Sequence, residues 1–106
     1  MGLDIGIISI TYLERPGGLA YDFAWEMAEE ASVHGYMYGE GNNWAGFTQR
    51  QALRMLERFA QRRGLDAPAK AEVLGWLRSL PWDMWQDDLA QDSAGGGGLI
   101  ELHFNW

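Results

Sequence analysis

Two β-rich segments stand at opposite ends of this chain, and most of what lies between them reads as helix or turn. Residues 3–13 (LDIGIISITYL) are apolar on both alternations, the pattern of a strand covered on both faces. Residues 99–106 alternate instead: Ile100, Leu102, Phe104 and Trp106 fall on one side, Glu101, His103 and Asn105 on the other. That is a half-buried strand. Neither segment is stable alone, and a lone ribbon is marginal, so the sheet must pack on helices. The expectation is an α+β fold: a small antiparallel sheet pairing the N- and C-terminal strands, packed against three or four helices. A length of 106 residues makes residues 1–106 one domain.

The helices are signalled with unequal clarity. Arg15-Pro16-Gly17-Gly18 breaks the chain, and residues 20–33 then follow helical spacing, ending near Gly35. Its expected core arc holds Tyr21, Phe23, Ala24, Trp25, Met27, Ala28 and Ala31, while Asp22, Glu26, Glu29 and Glu30 gather opposite. Residues 34–46 hold four Gly, two Asn and three aromatics, either a short strand at 36–38 or a loop pinned by Trp44. Thr48 and Gln51 have the spacing of a capping box, with Phe47 as the hydrophobic staple, and Gly64 stands where that helix should stop. Asp66 can cap a third helix with Pro68 in its first turn. Pro81 opens a fourth, short helix over residues 81–91, with a Trp82, Trp85 and Leu89 seam. Residues 93–98 read as a flexible Gly-rich connector before the last strand.

Charge is segregated along the chain. Residues 1–47 carry −6, residues 48–78 carry +4 and residues 79–106 carry −5, for a net −7. That balance opposes phosphate-directed nucleic-acid binding and attraction to anionic membranes. With no Cys, disulfides and thiolate metal sites are excluded. Neither a secretory signal nor a span of about 18 apolar residues is legible, so the expected location is cytoplasmic.

Motifs that carry chemistry are scarce, and no cofactor is expected. Glu30 and His34 have metal-ligand spacing on a helix, but a lone pair is more simply a solvated acidic face ending in a histidine. Neither histidine has a serine in a nucleophile-elbow context. Gly39-x-Gly41 and the Gly95–Gly98 run lack the strand, lysine and helix context of a phosphate loop. Arg50, Arg54, Arg58 and Arg62 form a stripe that could track phosphates, yet no aromatic interleaves with it; offsetting the acidic helices is the simpler role.

These features point to a protein-binding module rather than an enzyme. The candidate surfaces are two acidic helix faces, Asp22/Glu26/Glu29/Glu30 and Asp83/Asp87/Asp88/Asp92, and the aromatic loop Tyr36, Tyr38 and Trp44. The expected partner is a basic protein, itself of the nucleic-acid-binding kind. By analogy of size and charge, the concrete form is a small inhibitor of the anti-CRISPR, anti-restriction or immunity type. The alternatives are a small enzyme or ligand-binding domain with its pocket under the Tyr36–Trp44 loop, and a homo-oligomeric structural subunit.

Overall fold

The computed structural model describes residues 16–35, 37–39, 43–87, 89 and 97–104. In chain order these form α1 (Gly18–Val33), β1 (Trp44–Thr48), α2 (Gln49–Arg63), α3 (Ala67–Ser79) and β2 (Leu99–His103). The expected strand over residues 3–13 lies outside the described residues. The fold is α+β, a small antiparallel sheet against three helices. The C-terminal strand pairs with β1, the most N-terminal strand among the described residues, in the register Trp44↔His103, Gly46↔Glu101 and Thr48↔Leu99.

β1 was not separable from the glycine-rich loop by sequence. Trp44, Phe47 and Thr48 favour a strand, but Gly46 and Ala45 interrupt the pattern within only five residues; Ala45 and Phe47 point inward and are fully buried. Tyr38 adds one antiparallel bridge to Trp44 on the edge away from β2. Of the two alternatives for this stretch, a short strand at 36–38 or a loop pinned by Trp44, the described residues show a single bridged pair.

α2 begins directly where β1 ends. The Thr48 Oγ1 accepts from the Gln51 N–H at 3.1 Å and the Gln51 Oε1 accepts from the Thr48 N–H at 2.8 Å, so the capping box is complete. Gly64 closes the helix in the left-handed region, φ 64° and ψ 39°. Asp66 caps α3 through the Ala69 N–H at 2.9 Å.

The core lies between the inner sheet face and the three helices. Phe23 and Met27 of α1, Phe47 of β1, Leu56 and Phe59 of α2, Val73 and Leu77 of α3 and Ile100 of β2 form its centre. Phe23 meets Phe59 edge-on, with ring centroids 5.3 Å apart. Trp25, expected in the α1 core arc, is instead 44% exposed, because the buried arc runs through Ala20, Phe23, Met27 and Ala31. Ala28 is also buried.

The fourth helix is absent from residues 81–87, which run as an irregular strap. Its backbone groups are committed elsewhere. Leu80 is extended ahead of Pro81, as a residue before proline prefers. The Asp83 N–H donates to the Leu99 carbonyl, and the Asp83 carboxylate accepts from the Leu99 N–H at 2.6 Å. Gln49, fully buried, donates to the Gln86 carbonyl at 2.6 Å and accepts from the Gln86 N–H at 2.9 Å. Trp82 and Trp85 still pack on the core, so the apolar seam is real although its carrier is not helical.

Gly97 and Gly98 belong to this seam as well. Gly97 has φ +70°, and a Cβ on Gly98 would run into the Met84 carbonyl. These two glycines are therefore packed against the strap, not simply spanning a gap. Residues 93–96 lie outside the described residues.

Candidate functional site

The acidic face of α1 lies against α2. Asp22, Glu26 and Glu30 recur every four residues and meet Arg63, Arg62 and Arg58 on the antiparallel neighbour. The Glu30–Arg58 pair is at 3.0 Å and the Asp22–Arg63 pair at 2.9 Å. Three of the four α1 carboxylates are thus neutralised within the molecule, the charge-balancing role considered for the arginine stripe. Arg58 and Arg62 of the stripe take part, and Arg63 outside it supplies the third rung.

Glu29 is the α1 carboxylate that faces solvent without an ion pair among the described residues. It borders a shallow groove of about 320 Å³ with Trp25, Ala28 and Ser32. A second depression, about 290 Å³, is lined by Glu29, His34, Met55 and the Glu26–Arg62 and Glu30–Arg58 pairs. Among the described residues no three His, Asp or Glu side chains cluster as a metal site requires.

The second acidic cluster does not form a helix face. Asp83 is occupied by the Leu99 N–H, and Asp87 pairs with Arg78 at 2.7 Å. Asp88 and Asp92 lie outside the described residues.

The aromatic loop gives a different picture. Tyr36 lies outside the described residues, but Tyr38 and Trp44 exchange both backbone hydrogen bonds, at 2.8 and 3.1 Å. Directly opposed residues of this kind carry their side chains on the same sheet face. Gly39, at φ +81°, makes the turn, and any side chain there would meet the Trp44 ring at 2.6 Å.

Since Trp44 spends its backbone groups on Tyr38, its pairing with His103 is the non-hydrogen-bonded kind, which brings side chains closest. Their rings meet edge-to-face, 5.0 Å between centroids and 70° between planes. Glu101, opposite Gly46, accepts a hydrogen bond from the Tyr38 hydroxyl. Partial burial, and then that carboxylate, hold the Tyr38 hydroxyl above its ordinary pKa.

The outer sheet face therefore assembles Tyr38, Trp44, Glu101 and His103 from three parts of the chain. The sequence placed Glu101 and His103 on the solvent side of the last strand. Their juxtaposition with Tyr38 and Trp44 depended on β1, whose pairing was not legible.

The carboxylates can be compared by what holds them. Asp22, Glu26, Glu30, Glu57 and Asp87 are paired with Arg or Lys. Asp66 and Asp83 serve backbone N–H groups. Glu101 differs from these: its partner is the neutral Tyr38 hydroxyl, and among the described residues it makes no ion pair.

No protein family, curated protein or solved structure matches the chain.

Proposed function

We propose that this chain is a small protein-binding module whose partner is a basic protein, and that the outer face of the β1–β2 sheet is the docking surface. The observation that carries this is Glu101, an oriented carboxylate without an ion pair among the described residues, set among Tyr38, Trp44 and His103. Aromatic side chains around a charged group make the kind of patch on which binding energy concentrates. Leu99, on the same face and 54% exposed, extends it with apolar area. The net charge of −7 favours encounter with a basic surface at low salt. An inhibitor of a nucleic-acid-binding protein is the form of module that such acidity suits.

This shifts the contact from the α1 acidic face, whose carboxylates are mostly spent on α2, to the sheet. The test places a photo-crosslinking residue at position 99, with a second protein carrying it at Glu72 on α3. Both are exposed to lysate of the source organism. The reading expects one basic protein, attached from position 99 but not 72, and lost at high salt or with Glu101→Gln. Attachment from position 72 alone, or from 99 irrespective of Glu101, would refute it.

A further inference from the structure

The outer sheet face has a gap in its side-chain cover at Gly46. Among the described residues, a Cβ built there would meet nothing closer than the Ile100 carbonyl at 3.9 Å, so none of them fills the space directly above residue 46. Its φ is not in the left-handed region, so this glycine is not required by the backbone. The gap has defined borders. Trp44 and Thr48 flank Gly46 along β1, Glu101 stands opposite, and Tyr38 reaches Glu101 from the far edge. His103 closes the corner against the Trp44 ring.

A notch with aromatic sides and one carboxylate selects by charge and shape. An anion would be repelled by Glu101. An apolar side chain would remove that carboxylate from water without replacing its hydrogen bonds, which is costly. A cation gains from the carboxylate and from the faces of the rings. The Tyr38 hydroxyl uses only part of the acceptor capacity of Glu101. A planar guanidinium can take the remainder with two parallel N–H groups while stacking on a ring, whereas an ammonium is a strongly hydrated point charge.

We infer that the notch over Gly46 takes the guanidinium of one arginine carried by the basic partner. This rests on the sheet face being the docking surface, and it names the group that surface reads.

The test uses the isotope-labelled chain and N-acetyl-arginine methylamide as the probe, with the citrulline and lysine counterparts beside it. The arginine probe should shift the Gly46, Glu101 and His103 amides and the Trp44 indole N–H in a saturable manner. Citrulline, which has the shape without the charge, should bind about tenfold more weakly, the scale of one charge-assisted hydrogen bond. Lysine should be weaker than arginine.

Gly46→Thr suits a strand, and its Cβ would make an ordinary contact at 3.9 Å, so it should fill the notch and abolish the shifts while the spectrum stays dispersed. Should that variant fail to fold, Glu101→Gln, at an exposed position, makes the same test. Equal binding of citrulline or lysine, or arginine binding undiminished by these substitutions, would overturn the inference. Failure of the arginine probe with crosslinking from position 99 retained removes this inference alone. Loss of the crosslink removes the docking surface with it.

Discussion

Two of the polar seams between elements of this molecule work on opposite terms. Between α1 and α2 the seam is three ion pairs in solvent, each holding long side chains that remain partly exposed. Between α2 and the strap it is one amide, Gln49, with no exposure at all. Charge count would rank the first seam higher. Exposed pairs are each worth only ~0.2–1 kcal/mol, because water and salt compete for both partners. A buried amide has no such competitor, and losing it strands a backbone N–H and C=O. The difference teaches that the path of the chain is set where solvent is excluded, and that the ladder mainly tunes surface charge.

The strongest way to break this comparison is at Gly98. Gly98→Ala forces a methyl into the Met84 carbonyl and should cost about 3 kcal/mol, read as a shifted urea midpoint. Gln49→Met keeps the length of the side chain and removes the amide. It should cost about 2 kcal/mol and speed hydrogen exchange at the Gln86 amide. Replacing Arg58, Arg62 and Arg63 together with Gln should cost about 1 kcal/mol at low salt and close to nothing in concentrated NaCl. A triple variant less stable than Gln49→Met would reverse the ranking of the two seams.

The smallest effect belongs to Tyr38→Phe, about 0.5 kcal/mol at neutral pH for a largely exposed hydrogen bond. Its pH dependence is more telling. The Tyr38 hydroxyl has a raised pKa, so the neutral form is favoured in the folded chain. That stabilisation is fully present below the ordinary value of 10.0 and is lost as pH rises through the raised folded value. A late component in the tyrosine ultraviolet titration should therefore vanish in Tyr38→Phe.

What was legible in the sequence follows the range of the interactions. The caps of α2 and α3 use groups three residues apart, and Thr48, Gln51, Gly64 and Asp66 act as their spacing implied. The alternation of β2 placed Ile100 inward and Glu101 outward. The strap defeated the same logic. Residues 81–87 have a helical apolar seam, but the backbone at Asp83 and Gln86 is claimed by Leu99 and Gln49, sixteen and thirty-seven positions away. That the arginine stripe would offset the acidic helices was legible, but which arginines meet the α1 face was not, since they stand 28 to 41 positions away and meet it only when the helices fold antiparallel. The sheet-face cluster was half legible: Tyr38 and Trp44 drew attention as aromatics, but their partners on β2 required the register.

β1 passes into α2 with no residue between them, Thr48 closing the strand and capping the helix at once. This junction has no slack for a change in chain length. One inserted residue would exchange the inward and outward sides of β1. It would also swing the start of α2 by about 100°, carrying Gln49 away from the strap. Substitutions here can be absorbed one at a time, whereas insertions and deletions cannot. As sequences related to this one are gathered, the stretch from Trp44 through Phe59 should align without gaps, with length variation falling elsewhere in the chain.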